Sequence, residues 1–223
     1  MSKGVVYTSI FGDYDRLITP IITRNEFDYI CFTDNPQVKS NVWDVRIIEP
    51  KVPDDSYRSA RYVKINAHKF LSDFDYSVYI DGNMHLRRTP DVLAILNGHK
   101  LVMVTHPTRD CIYDEARACT EMGKDDPDII ATQMDVYKKW GFTSNNGLCE
   151  TGFHFKLHND AEIIRRCKLW WRQVKMYSFR DQLSFPFAFQ NFPMHHISAS
   201  KRNYYARITN LHPCPGRNRS HHE

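Results

Sequence analysis

Strands alternate with helices along this sequence of 223 residues, which predicts an α/β domain built on a mostly parallel central sheet. Short apolar and β-branched runs stop abruptly at Gly, Asp, Asn or Pro, as buried strands do. Between several of them lie segments with apolar residues three or four apart, the period of an amphipathic helix. There is no internal repeat, low-complexity tract or clear linker, so a single domain over residues 1–223 is expected.

The elements follow in order. "GVVYTSIFG" (4–12) opens as a strand and stops at Gly12-Asp13-Tyr14-Asp15. "FDYICFTDN" (27–35) is the second strand, closed by Pro36, and "WDVRIIEP" (43–50) the third, closed by Pro50. From Ser56 onward Ala60, Val63, Ala67 and Phe70 mark a helix. "YSVYI" (76–80) is a fourth strand and ends in Asp81-Gly82-Asn83. "TPDVLAILNG" reads as a helix capped by Thr89, with Pro90 in its first position and Gly98 past its end. "KLVMVTHP" is a strand, and "CIYDEARACTEMG" and "PDIIATQMDVYKKWG" are helices. "GLCETGFHFKLH" is a strand, and Asp160 caps an amphipathic helix after it. "RDQLSFPFAFQNF" is helix or turn, followed by a short strand and a basic tail.

Composition narrows the function. Apolar residues are 42% of the chain, enough for a core, which excludes a disordered protein. Thirty basic and 26 acidic residues give a formal charge of +4, and the basic residues are scattered. That suits a small anionic ligand and argues against nucleic acid, whose binders carry a dense basic face. Six cysteines without a CxxC pair exclude a zinc knuckle. No apolar run approaches the ~20 residues of a transmembrane segment. The sequence enters its first strand without a signal peptide, so reduced thiols and a cytoplasmic location are expected.

In open parallel sheets ligands bind beyond the carboxyl ends of the strands. That rule singles out Asp13, Asp15, Asp34, Asn35, Asp81, Asn83 and His106. Asp81 and Asn83 offer oxygens to one cation of the magnesium or manganese kind, with Gly82 allowing close approach of a ligand. The same three residues also make an ordinary turn. Arg58, Arg61, Lys64 and His68 cluster on the helix that precedes this strand, and the last three share a face by their spacing. Such a stripe is a solvated face or a source of positive charge for a diphosphate. Glu150 stands near a strand edge, and Arg180-Asp181-Gln182 lies between Phe179 and Leu183. Asp181 reads as a general base, as a holder of sugar hydroxyls with Gln182, or as a helix cap.

The ordered blocks "RYVKINAHKF", "YSVYIDGNMHL", "HPTRDCIYDEA", "GLCETGFHFKLHN" and "LWWRQVKMYSFRDQLSFPF" resemble the DUF616 family, glycosyltransferase-like proteins that include plant TOD1/MUCI70-type proteins. The layout is also similar to GT-A glycosyltransferases. The resemblance implies a GT-A-like, Rossmann-like α/β/α sandwich, with a nucleotide-binding half over about 1–105 and an acceptor half with the basic tail over about 106–223. It implies transfer of a sugar from a UDP- or GDP-sugar donor to a glycan, polysaccharide-type or other hydroxyl acceptor. Tyr7, Thr8, Phe11 and Asp34 would border the nucleotide, and Arg58, Arg61 and Lys64 would approach its phosphates. Asp81-Gly82-Asn83 would stand where the family's D-x-D motif stands and hold Mn²⁺ or Mg²⁺; on the residues alone, His212 or one of the adjacent pair His195-His196 reads as a further ligand to that metal. Glu150, Asp181 and Gln182 would face sugar and acceptor. Asn83 in place of an acid weakens the metal expectation. Two alternatives stay open: a catalytically weakened nucleotide-sugar-binding module, which Asn83 favours, and a metal-dependent nucleotide-sugar hydrolase or phosphoryl transferase.

Overall fold

The computed structural model describes residues 3–209. Its centre is a seven-stranded sheet made from β1 (Gly4–Ile10), β2 (Phe27–Thr33), β3 (Asp44–Ile47), β4 (Tyr76–Ile80), β6 (Leu101–Thr105), β7 (Cys149–Lys156) and β8 (His195–Ile197). The strands lie in the order β3-β2-β1-β4-β7-β6-β8. Every neighbouring pair is parallel except those of β7, which runs antiparallel to both β4 and β6. The mostly parallel sheet read from the sequence is therefore the one observed. A second sheet pairs β5 (Met84–Leu86) with β9 (Ala206–Ile208), antiparallel.

Strand β1 shows why the sheet is covered on both faces. All seven of its residues are buried. Val5 and Tyr7 point into one apolar cluster, and Val6 and Ile10 into another, as the two-residue period of a strand requires. The first face is covered by α1 (Ser56–Ile65), through Ala60 and Val63, and farther along by α5 (Ala161–Met176) and α6 (Asp181–Ala188). The other carries α2 (Val92–Leu96) and the small sheet. Helices α3 (Ile112–Glu121) and α4 (Pro127–Lys139) pack on each other and on Leu183 of α6. Short α7 (Ala199–Tyr205) leads into β9.

Two local expectations change. Helix α2 starts two residues late: Asp91, not Thr89, is its cap and accepts from the Ala94 amide. Thr89 is buried instead, with its hydroxyl 2.5 Å from that of Tyr29. Helix α1 ends at Ile65, and His68 falls in a separate 3₁₀ turn, Ala67–Lys69. The stripe Arg61, Lys64, His68 is thereby broken after Lys64. Strands β5 and β9 were not visible in the sequence. Each is only three residues long and exists by pairing with the other.

Candidate active site at the carboxyl edge of the sheet

From β1 the chain moves outward to β2 and β3, then returns to β4 on the other side of β1. The carboxyl ends of β1 and β4 thus flank the crevice where open α/β sheets bind ligands. Asp81-Gly82-Asn83 follows β4 at this place, and Gly12 to Asp15 follows β1. The Asp81 carbonyl accepts from the Met84 amide at 2.9 Å, so the segment is a turn. The turn delivers the chain into β5, and Thr209 anchors it through its amide and hydroxyl on the Asn83 carbonyl, both at 2.9 Å.

Two glycines shape the space around Asp81. A Cβ on Gly82 would lie 2.8 Å from Asp15 Oδ2 and 2.9 Å from Ile10 Cγ1. A Cβ on Gly152 would lie 2.6 Å from Asp81 Oδ2. Only hydrogen at both positions lets Asp15, Asp81 and β7 converge.

The charges form a connected group. The ammonium of Lys64, with no exposed side-chain surface, sits 2.8 Å from Asp181 Oδ2 and 3.4 Å from Asp81 Oδ1. It donates to the Thr151 hydroxyl at 3.3 Å and lies over the Tyr79 ring. Arg61 Nε holds the other Asp181 oxygen at 3.1 Å. Burial alone would push both carboxyls up, but Lys64 and Arg61 outweigh it and hold Asp81 low and Asp181 lower still. Asp15 goes the other way: burial and then the charge of Asp81 raise it to about 6 against the pull of Arg61. Glu150 is also raised, by burial first, although Arg202 on α7 pairs with it at 3.1 Å.

The backbone of Lys64 is clamped from behind. Its carbonyl accepts from the Tyr7 hydroxyl at 2.6 Å and from the buried Lys156 ammonium at 2.9 Å. Tyr7, Thr8 and Phe11, expected beside the nucleotide, are buried, and Phe11 also lines a shallow pocket with Tyr62, Val63 and Phe70. Tyr7 serves the site from below. Asp34 accepts the Gly12 amide on both oxygens, at 2.9 and 3.1 Å, and so fixes the loop after β1. Arg58 pairs with Asp55 at 2.6 Å and donates to the carbonyls of Val174 and Tyr177, tying α1 to the end of α5. Its charge is engaged away from Asp81.

Asp181 is the first residue of α6, and Arg180 takes the cap position. The cap reading of Asp181 therefore gives way to the ion pairs. Gln182 stands beside it, half-buried. A small aromatic rim, not anticipated, borders Arg61. Tyr57 stacks on Phe179 with centroids 4.6 Å apart, and half-exposed Tyr14 meets Tyr57 edge-on. The other missed residues are Lys156, Thr151 and Tyr79. Sequence spacing gives no sign of them, because their roles depend on how β7 and β4 pair.

Among the described residues no group of three or more His, Cys, Asp or Glu side chains is placed to hold a metal by itself. Asp15 and Asp81 form a two-carboxylate, all-oxygen set. Magnesium and manganese sites completed by substrate phosphates need no more than that. His212 lies outside the described residues. No helix among the described residues is long and apolar enough to cross a membrane.

The description "TOD1/MUCI70, glycosyltransferase-like domain" matches residues 1–203. The chain is also similar to the "Probable hexosyltransferase MUCI70" of Arabidopsis thaliana, at 26% identity over 159 residues. That stretch is 66% of this chain and 27% of the plant protein, so the chain spans just over a quarter of that relative's length.

Proposed function

The chain belongs to the TOD1/MUCI70 glycosyltransferase-like domain family, and from that premise we propose that it moves a sugar from a nucleoside diphosphate donor to a hydroxyl of a glycan. The observation that carries this reading is the pair of cations, Lys64 and Arg61, bridging Asp81 and Asp181 at the crevice between β1 and β4. Glycosyl transfer leaves negative charge on a departing diphosphate. Fixed cations in a water-poor site stabilise that charge as it develops. In this reading the nucleotide lies over the β1–β4 crevice in a GT-A-like first half, with Arg61 toward its phosphates and the charge of buried Lys64 behind it. The aromatic rim supplies a face for the base or the sugar.

Asp81 and Asp15 would hold Mn²⁺ or Mg²⁺ together with the phosphates. The metal would supply Lewis-acid stabilisation of the leaving group. A cation there also accounts for two carboxylates placed side by side. Lys64 supports a further point: part of the metal's electrostatic work is already done by the protein.

The two candidate catalytic carboxylates divide by their surroundings. Asp181 is held ionised by two cations, which makes it a weak base. Its role is to orient Lys64 and Arg61 and to face positive charge developing on the sugar. Glu150, raised by burial, is the better proton acceptor for the attacking hydroxyl. Gln182 stands beside Asp181 to hold sugar hydroxyls.

A thermal-shift screen of UDP- and GDP-sugars with and without Mn²⁺ tests the reading, because a ligand selective for the folded state raises its melting temperature. We expect a shift with at least one nucleotide, followed by transfer of the donor's sugar to a glycan. Absence of a shift with every nucleotide counts against it. Binding without turnover selects the weakened module, and turnover to water alone selects the hydrolase.

A further inference from the structure

The block "HPTRD" (106–110) takes no part in the donor site, yet it lines a cavity of about 480 Å³ at the carboxyl end of β6. Thr105, His106, Thr108, Arg109, Asp110 and His196 supply its polar wall, and Pro107 and Leu148 its apolar surface. The volume falls in the range of small-molecule sites.

The wall is built. His106 Nδ1 accepts the backbone amides of Arg109 at 3.0 Å and Thr108 at 3.4 Å, which places the ring proton on Nε2. The His106 amide is fixed on the Leu148 carbonyl at 2.9 Å. Behind the wall, buried Glu115 grips Arg109 Nε at 2.6 Å and leaves other guanidinium N–H groups for the cavity. Donors and acceptors thus alternate around an opening that also has apolar patches. The single cation Arg109 is met by Glu115, and Asp110 adds a second carboxylate. Burial, together with Arg109, holds His106 below its ordinary range despite Glu115. Such a wall suits a neutral polyhydroxylated ring better than a phosphate.

Its position sets what the ring belongs to. Asp81 lies beside Gly152 of β7, whereas the His106 amide bonds Leu148. Two strand spacings separate β4 from β6, about 10 Å across the sheet, with about 13 Å more along the chain from Gly152 to Leu148. Glu150 stands between the two places, paired with Val104 in the register of β6 and β7. We propose that this cavity is a second acceptor subsite, holding a neutral sugar ring of a glycan chain at a distance from the ring that receives the transferred sugar. The inference rests on the glycosyl-transfer reading and adds to it where a second ring of the acceptor is held.

Saturation-transfer NMR with the methyl β-pyranosides of glucose, galactose and mannose tests it on the full chain. We expect signal for at least one glycoside with the wild-type protein and with Asp81→Asn. Signal should be lost in His196→Ala and in Thr108→Arg, whose long side chain fills the opening from an exposed position. Inorganic phosphate should not displace the glycoside. No glycoside signal, equal signal in the cavity variants, or displacement by phosphate overturns the proposal. A nucleotide thermal shift run on the same samples separates the two readings. Nucleotide binding without sugar binding overturns the subsite alone. Sugar binding at the cavity without any nucleotide response leaves a sugar site and removes the transfer reading.

Discussion

Lys64 lies between Asp181, at 2.8 Å, and Asp81, at 3.4 Å, with no surface of its own exposed. One side chain from α1 therefore joins the carboxylate at the end of β4 to the carboxylate that opens α6. Removing it leaves buried Asp181 and half-buried Asp81 with Arg61 as their nearest cation. Lys64→Met is expected to lower stability by about 3–5 kcal/mol, the usual cost of breaking a buried pair from one side. Urea denaturation measures it. A loss below about 1 kcal/mol would mean that water already screens the group.

Asp15 gives a pH prediction of the opposite sign to an ordinary salt-bridged acid. Its folded pKa is raised from 3.8 to about 6, so the folded state holds this proton more tightly than the unfolded chain. Its contribution is most favourable below the unfolded value and is lost as pH rises through about 6. Asp15→Asn should thus stabilise the protein at pH 7.5, by about 1–2 kcal/mol after allowance for solvent, and not at pH 4. Melting curves at the two pH values check it. A metal held by Asp15 and Asp81 would reverse the effect, so the experiment is run in chelator.

Asp181 behaves in the usual direction. Its folded pKa is depressed, so its stabilisation is present above the unfolded carboxyl value and disappears as pH falls through the folded one. Asp181→Asn should remove that acid-side slope below about pH 4. Comparing acid denaturation of variant and wild type reads the difference directly.

Gly152→Ala places a methyl 2.6 Å from the Asp81 carboxylate. The methyl displaces the acid or bends β7, at a cost of about 1–3 kcal/mol typical of overpacking. We expect nucleotide affinity to fall at least tenfold while the fold is kept. Circular dichroism and calorimetric titration separate the two effects, and unchanged affinity would remove Asp81 from the donor site.

Glu150→Gln tests the division of labour between the carboxylates. Turnover should fall by 10²-fold or more, the usual size of a general-base contribution, with donor affinity within threefold of wild type. The acidic limb of the kcat profile should change in this variant and not in Asp181→Asn. Full activity in Glu150→Gln would return Glu150 to a partner of Arg202 alone.

Much of the scaffold was legible in the sequence, for identifiable reasons. Residues 4–10 and 76–80 are mostly β-branched or aromatic, and each run is soon followed by Gly or Asp, so parallel strands with polar ends were readable. The carboxyl-edge rule then singled out Asp15, Asp81 and Asn83 before any contact was known. Tyr7 and Phe11 were legible as strand residues but not as core, because a strand covered on both faces gives no polar–apolar alternation to say which way they point. His68 was drawn into the stripe because Asn66 does not look like a helix end, although its amide closes α1 on the Tyr62 carbonyl. Lys156 was unreadable. A lysine held by backbone carbonyls has no charged partner to betray it in sequence.

The central claim is that Arg61, backed by the buried charge of Lys64, receives a diphosphate at the β1–β4 crevice. Calorimetric titration of UDP and GDP into wild-type protein, Lys64→Met and Arg61→Met, in parallel with circular dichroism, tests it most directly. The account predicts binding of one nucleotide by the wild type and a loss of at least tenfold in each variant that remains folded. Equal binding by folded Lys64→Met and wild type, or no binding of either nucleotide by the wild type, would contradict it.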